Sequence, residues 1–218
     1  VAIGNRTELL LALPAFLYLL AKQPRNLQAL VTREQLRSFT LFLIFPAGLL
    51  ICTAAYNWAR FGSMTDFRYA HIPGVLKEPW YQHGIFSLTS IRWNAYEMLF
   101  RGLNDLPIFP YLKPYGFGCS IFLASPFLVL LFREGGQHRW IYWSVIGALT
   151  FALWAHGNPG GWQFSYRYAM ILLPWMFLLI TENGPPGLSA IEVSLFSFAT
   201  AINAIAAYEF LWTSMIKV

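Results

Sequence analysis

Charged residues are scarce in this sequence. Asp, Glu, Lys and Arg make up 11% of its 218 residues, whereas a soluble domain usually carries about 25%. Hydrophobic residues account for 57% and aromatic residues for 18%, and the apolar residues are arranged in long runs. This composition disfavours a soluble globular domain. It indicates a bundle of membrane helices, because each membrane span needs roughly 20 mostly apolar residues.

The sequence also lacks the motifs of the common soluble enzyme classes. It contains no Walker loop, no glycine fingerprint for dinucleotides, no Gly-x-Ser-x-Gly turn and no zinc spacing. Its four histidines are scattered, so we predict no metal site. No block of Lys and Arg indicates nucleic acid, and the formal charge of +5 is typical of cytoplasmic loops that contact anionic lipids. Cys52 and Cys119 fall in apolar runs, and we expect both to be buried free thiols.

Six apolar segments are predicted to cross the membrane. They are residues 7–20, 39–58, 116–132, 140–154, 168–181 and 190–212. Prolines inside these spans are tolerated where a neighbouring group bonds a carbonyl that the proline leaves free. Asn203 is the deeper polar residue of the last span, and we expect it to form an interhelical hydrogen bond. The chain, residues 1–218, is thus predicted to be a single polytopic membrane domain and part of a longer protein.

Basic residues in the short connectors predict the orientation of these spans. The first connector and residues 133–139 are rich in Lys and Arg, which places them in the cytoplasm. The long connector, residues 59–115, is then extracytoplasmic, as is the connector between spans four and five. Residues 84–103 have apolar side chains at helical spacing, with Glu97 and Arg101 paired opposite, which predicts an amphipathic helix on the outer membrane surface. The predicted fold class is an all-α integral membrane protein with about six transmembrane helices and this interfacial helix.

One stretch with polar and aromatic residues follows the second span. It reads YNWARFGS and places Asn57 and Arg60 three residues apart, on one face of a continuing helix. Arg60 has two interpretations. It is an anchor for a lipid phosphate, since guanidinium binds phosphate through two hydrogen bonds, or it is an interfacial arginine that extends to the headgroups.

A second such stretch, HGNPGGWQFSYRY, occupies residues 156–168. Its glycines and proline predict tight turns rather than helix. The side chains of Trp162, Phe164 and Tyr166 offer flat faces for sugar rings or acyl chains. Arg167 lies where the fifth span begins, and an arginine beside a helix N-terminus suits an anionic group. The alternative interpretation is an aromatic belt with a glycine turn.

Three motifs, in order along the chain, carry a resemblance to a known family. They are YNWARFGS, GFGCSIFLASPFLVLLF and GNPGGWQFSYRYAMILLPWMFLLI, and together with NRTELLLALPAFLYLL they span most of the chain. In this order they resemble the C-terminal half of bacterial polytopic glycosyltransferases of the GT-C type. Those membrane enzymes use polyprenyl-phosphate sugars and include mannosyl- and arabinosyltransferase-like families.

The resemblance implies transfer of a sugar from a polyprenyl-phosphate donor to an acceptor at the extracytoplasmic face of the bacterial cytoplasmic (inner) membrane. It implies that Arg60 and Arg167 bind the donor phosphate. The residues expected to line the donor or acceptor site are Tyr56, Asn57, His156, Asn158, Trp162 and Tyr166. The expected partners are membrane lipids, the lipid-linked sugar and other membrane subunits. A divalent cation is an expectation only for the full-length enzyme.

The chain departs from the family at the catalytic acid, which in the family lies in the first outer loop. The outer carboxylates of this chain do not stand in that motif; they are Asp66, Glu78, Glu97 and Asp105. The catalytic residue is therefore unknown, and we do not expect the chain alone to catalyse transfer, because a general base must deprotonate the acceptor. The alternative function is a non-catalytic structural transmembrane subunit that packs within a larger membrane protein complex. A transporter or channel is less favoured, since the spans hold few ionisable residues and no inverted repeat.

Overall fold

The computed structural model describes residues 7–21, 32–65, 72–161 and 163–214. The described chain is mostly helical. It divides into two compact units, Val1–Glu78 and Pro79–Val218.

The described residues of the first unit form four helices. Its helices are the 3-10 helices Thr7–Ala12 and Val75–Lys77, α1 (Leu13–Leu20) and α2 (Arg33–Phe61). Thr32 caps the start of helix α2: its hydroxyl accepts a hydrogen bond from the backbone N–H of Gln35, as is usual for an N-cap. It ends at Gly62, which adopts the left-handed conformation (φ +71°) that glycine tolerates best. The Gln35 side chain donates to the Ala21 carbonyl at 3.0 Å and so ties α2 to the end of α1.

The second unit is built around one central helix. Its helices are α3 (Ser90–Leu99), α4 (Ile121–Ala124), α5 (Arg139–Ala155), α6 (Leu173–Asn183), α7 (Ala190–Trp212) and the 3-10 helices Pro79–Tyr81, Pro126–Phe132 and Arg167–Leu172. Helix α5 packs against both α3 and α6. The buried residues of α5 recur every three or four positions, as one apolar face of a helix requires; they are Ile141, Tyr142, Val145, Ile146, Leu149 and Leu153.

Two helices, α2 and α7, are long and apolar enough to cross a membrane, judged by length and composition. They contain 29 and 23 residues. None of the most apolar 18-residue stretch of α2 is buried, and only 11% of that of α7. Neither helix therefore has the burial of a core helix in a soluble protein.

The six predicted spans are reproduced only in part. Helical residues occupy each of the six segments, but only residues 39–58 and 190–212 lie in helices long enough to span a membrane. In the other four segments the α-helices are 8, 4, 17 and 11 residues long. Segment 116–132 is the most interrupted, because α4 stops at Ala124 and a 3-10 helix starts at Pro126. The established architecture is thus a mostly helical protein with two candidate membrane-spanning helices.

Asn203 of α7 forms a hydrogen bond with the backbone at this interruption. The Asn203 side-chain amide donates to the Ala124 carbonyl at 2.8 Å and to the Ala199 carbonyl at 2.8 Å. The predicted interhelical hydrogen bond of Asn203 is confirmed. A carbonyl at the broken end of α4 is bonded without water, which is what allows a proline-containing segment in apolar surroundings.

The connectors of the second unit meet in two groups, one at each end of α5. At its start, Arg133 forms an ion pair with Glu192 at 2.6 Å, and the His138 ring lies 2.9 Å from Glu182. At its end, the Ser87 N–H donates to the Ala155 carbonyl at 2.7 Å. Residues 133–138 thus lie beside Glu182 and Glu192 at one end of α5, and Ser87 lies beside Ala155 at the other.

The predicted amphipathic helix is shorter and turned differently than expected. Residues 84–103 contain α3, Ser90–Leu99. Glu97 was expected to face away from the apolar side, but it is 1% exposed, whereas Leu88 is 71% exposed. The Glu97–Arg101 pair itself is confirmed, at 3.5 Å.

A buried asparagine explains the orientation of α3. The Asn94 side-chain amide donates to the Trp154 carbonyl at 2.9 Å and to the His156 carbonyl at 2.5 Å. These carbonyls lie at the end of α5 and have no partner within the helix. Because Asn94 bonds them, its side of α3 faces the protein. Glu97 lies one turn later on the same side and is therefore buried as well. Burial raises the pKa of the Glu97 carboxyl above its usual value, and the nearby Arg101 opposes this rise.

Two further expectations need correction. The expected all-α fold missed a short hairpin in which β1 (Leu103–Asp105) pairs antiparallel with β2 (Leu112–Pro114). Of the two free cysteines, Cys119 is buried as expected, but Cys52 is exposed, because most side chains of α2 are not covered by the rest of the described chain.

Replacing Asn203 with alanine should destabilise the protein by about 1 kcal/mol, the usual size of an interhelical hydrogen bond in a membrane protein. The Ala124 carbonyl would lose its partner in apolar surroundings. Thr200→Val is the matched control, since the Thr200 hydroxyl bonds only within α7, to the Phe196 carbonyl. Thermal unfolding in detergent measures both variants, and equal melting temperatures for Asn203→Ala and Thr200→Val would contradict the assignment.

Candidate functional site

One buried side chain, Gln163, organises the turn formed by residues 156–168. Gln163 is 5% exposed. Its amide nitrogen donates to the Phe117 carbonyl at 2.7 Å and to the Pro159 carbonyl at 3.2 Å, and its amide oxygen accepts from the Arg167 N–H at 3.3 Å. The side chain therefore connects three backbone segments. Sequence reasoning missed Gln163, although a lone amide among aromatic residues in a glycine-rich turn is a signal for this role.

Two glycines allow the chain to come this close. Gly160 has φ +108°, and a Cβ there would lie 2.6 Å from the Gln163 side-chain oxygen. Gly118 has φ +94°, and a Cβ there would lie 3.1 Å from the backbone of Ser165. Next to it, Cys119 donates its N–H to the Phe164 carbonyl at 2.8 Å and accepts from the Ser165 hydroxyl at 3.0 Å. Hydrogen bonds to backbone atoms thus join the turn to residues 117–119.

His156 and Asn158 are engaged inside the turn. The His156 Nδ1 lies 2.9 Å from the Asn158 carbonyl, and because a carbonyl can only accept, we assign the proton to Nδ1. The Asn158 side-chain oxygen accepts from the Gly160 N–H at 2.7 Å. The His156 ring also contacts the Tyr168 ring edge to face, with centroids 6.1 Å apart. These contacts give both residues a structural role in shaping the turn.

Three other residues of the motif, Trp162, Phe164 and Tyr166, were predicted to present flat rings. Phe164 is half-buried and lines the cleft beside Arg167. Tyr166 borders the cleft described next, but the residue is buried and its hydroxyl donates to the Leu153 carbonyl at 3.3 Å. The ring is almost fully covered by the protein, and its role as a donor- or acceptor-lining residue stays a prediction. Trp162 lies outside the described residues.

An apolar cleft of about 670 Å³ opens beside Arg167. This volume is typical of small-molecule sites. The walls come from α4 and the 3-10 helix after it, from residues 163–176 and from α7. The apolar side chains that line it include Leu128, Met170, Leu173, Met176, Phe210 and Leu211, and the polar ones are Ser125, Gln163, Ser165, Arg167 and Asn203.

Among the described residues that line the cleft, Arg167 is the only charged one. It is exposed, and its guanidinium carbon lies 5.5 Å from the centre of the Tyr168 ring. Among the described residues of the second unit, no carboxylate forms an ion pair with it. The helix that it begins is a six-residue 3-10 helix, so the attraction for an anion comes from the guanidinium and not from a long helix dipole. A free cation at the edge of an apolar cleft suits an amphiphile with an anionic headgroup.

The YNWARFGS motif forms the end of α2 in the first unit. The Arg60 guanidinium donates to the Tyr56 hydroxyl at 2.5 Å and lies 5.0 Å from the centre of the Phe61 ring. Asn57 is buried and donates to the Met64 carbonyl at 3.4 Å. Helix α2 continues through both residues, as the prediction of a common face for Asn57 and Arg60 required. Arg60 is exposed and contacts Tyr56, whereas Asn57 is buried and bonds the turn that follows.

The site holds neither a carboxylate nor a cluster of metal ligands within the described ranges. The lining residues of the cleft include no Asp or Glu. No group of three or more His, Cys, Asp or Glu side chains in these ranges could hold a metal ion. Of the outer carboxylates, Asp66 lies outside the described residues and Glu97 is buried. The cleft as described can bind an amphiphile, but it offers no general base.

Comparisons of the chain with protein-family models, with curated proteins and with solved structures give no significant match. Functional interpretation therefore depends on the geometry of the cleft and of the turn beside it.

Replacing Gly160 with alanine should destabilise the protein by roughly 1–2 kcal/mol, because a left-handed conformation is unfavourable for any residue with a Cβ. The new methyl group would also press on the Gln163 amide. Gly161→Ala is a close control, since a Cβ at Gly161 meets no atom within 4 Å and its φ is not positive. Thermal unfolding compares the two variants, and a Gly160→Ala protein as stable as Gly161→Ala would refute the role given to this turn.

Proposed function

We propose that this protein binds a polyprenyl-phosphate-linked sugar and forms the lipid-binding part of a membrane glycosyltransferase of the GT-C type. The observation that carries the proposal is one cation, Arg167, among the described residues that line a mainly apolar cleft of about 670 Å³. A polyprenyl phosphate has matching chemistry, with a long branched hydrocarbon and one anionic group. The phosphate binds the guanidinium, and the hydrocarbon lies along Met176 and Phe210.

The membrane placement in this proposal has six spans in the bacterial inner membrane, with the Arg167 end of the second unit outside. It is supported by the unburied apolar surfaces of α2 and α7. The grouping of connectors at opposite ends of α5 also supports it, because alternating spans bring the second and fourth connectors to one side. The shorter helices reach the full membrane thickness together with the 3-10 and turn residues that adjoin them.

Binding of the donor lipid and deprotonation of the acceptor take place on different parts of the enzyme in this scheme. Sugar transfer to a hydroxyl acceptor needs a base that deprotonates the acceptor, and the cleft contains no carboxylate. The base then comes from outside the cleft, in the first outer loop of the family that the motifs resemble. Arg60, exposed at the end of α2, belongs to the first unit, and its role as a phosphate ligand stays a prediction from the motif.

A non-catalytic subunit of a larger membrane complex is the second candidate function. The exposed apolar residues of α2 favour it, since a partner helix would cover them as well as lipid does. Co-purification with partners at fixed stoichiometry, together with no binding of a prenyl phosphate, would favour this function over the first.

Replacing Arg167 with alanine should weaken binding of geranylgeranyl phosphate by at least about 10-fold. A hydrogen bond to a charged group contributes roughly 1.5–3 kcal/mol, and about 1.4 kcal/mol corresponds to a factor of ten. The measurement is equilibrium binding to the protein in lipid nanodiscs.

Two controls make this test specific. Arg92→Ala removes an exposed arginine on α3 that does not line the cleft and should leave affinity unchanged. Geranylgeraniol lacks the phosphate, so Arg167→Ala should not alter its binding. Unchanged affinity of Arg167→Ala for the phosphate would refute the proposed function.

A further inference from the structure

The tip of the β-hairpin is an exposed, uncharged patch. The tip consists of residues 106–111, with the sequence LPIFPY, and charged residues occur only beyond it, at Asp105 and Lys113. Ile108, Phe109 and Tyr111 are 61%, 57% and 60% exposed. Apolar and aromatic side chains exposed together at a loop tip indicate a surface that contacts lipid or another molecule.

This patch is continuous with the end of α7. The Phe109 ring contacts the Tyr208 ring, with centroids 5.5 Å apart. Tyr208 in turn stacks on Trp212, with centroids 6.3 Å apart, and Trp212 is exposed. The hairpin tip and the last turn of α7 therefore present one aromatic surface.

The last turn of α7 also separates its polar and aromatic side chains. Glu209 is fully buried. Tyr208 and Trp212 point to the hairpin and to the surface instead. A helix end with an inward carboxylate and outward Tyr and Trp is typical of the boundary between hydrocarbon and headgroups.

We propose that the hairpin tip inserts into the outer leaflet of the bilayer beside α7 and anchors the outer part of the second unit. The occupant of the patch is lipid, because the patch continues the exposed apolar surface of a helix long enough to span a membrane. Apolar side chains of an interfacial segment are buried about 5–10 Å into the boundary between headgroups and acyl chains. The inference rests on the membrane placement of α7 in the proposed function.

Anchoring at this point affects the lipid-binding cleft. Strand β2 leads through Tyr115 to Phe117 and Cys119, which bond the turn that precedes Arg167. A hairpin held in the outer leaflet therefore keeps this turn at headgroup depth. The Arg167 guanidinium then meets a lipid phosphate at the depth where membrane phosphates lie.

Site-directed spin labelling tests the anchor. In the Cys52→Ser background, Ile108→Cys carries the nitroxide, and the buried Cys119 is left unlabelled. The protein is reconstituted in liposomes, and power saturation measures collisions with oxygen, which concentrates in hydrocarbon, and with a water-soluble nickel chelate. Leu112→Cys, on an exposed residue of β2, repeats the measurement if Ile108→Cys does not fold.

Two reference positions define the scale. Phe198→Cys lies on an exposed residue in the middle of α7, and Gln82→Cys lies on an exposed residue beyond the 3-10 helix Pro79–Tyr81. We expect the label at 108 to collide with oxygen more than with the chelate, at a depth of about 5–10 Å. A label at 108 that behaves like the one at 82 overturns the anchor, and low collision rates with both reagents overturn it in favour of a protein partner. A label at 198 that reports water refutes the membrane placement itself, which separates that failure from failure of the anchor.

Discussion

The hydrogen bonds of the buried Gln163 side chain are the interaction on which the candidate site depends. A buried amide must find partners, because an unbonded polar group inside a protein costs about 1–3 kcal/mol. Gln163 bonds Phe117, Pro159 and the backbone of Arg167, so satisfying one side chain sets the positions of three segments. These bonds therefore determine three features together, namely the conformation of the turn, the start of the helix at Arg167 and one wall of the cleft.

The charge distribution around the cleft supports the proposed ligand. Its walls are mostly apolar and its one charged lining residue is Arg167, which matches the distribution of charge in a lipid phosphate. Helices α2 and α7 expose apolar surfaces that a bilayer would cover. The hairpin tip and the end of α7 add an aromatic surface at the same end of the second unit, where the proposed headgroup layer lies.

The parts of the fold that follow from local sequence were predicted well, and those that follow from distant contacts were not. Span six matches α7, because 23 consecutive residues and the Ser189 capping box define it locally. The prediction of which side of α3 faces inward was wrong, because that side is set by Asn94, which bonds carbonyls 60 and 62 residues away. Gln163 was missed for the same reason: its amide reaches Phe117, 46 residues distant, and no local periodicity reports such a bond. The hairpin is a local pairing, and it was missed because strands of 3 residues are too short to show an alternating pattern. Arg167 was predicted as a site residue, but the cleft beside it was not, because its apolar lining is assembled from residues 121–128, residues 169–176 and α7.

Photo-crosslinking tests the central claim most directly. A geranylgeranyl phosphate with a diazirine in its hydrocarbon is irradiated with the full chain in nanodiscs, and mass spectrometry locates the adducts. The account predicts adducts on cleft residues, chiefly Met170, Leu173, Met176 and Phe210, and their loss in Arg167→Ala. Adducts confined to the outer surfaces of the long helices, such as Phe45 and Phe198, and equal in Arg167→Ala, would contradict it.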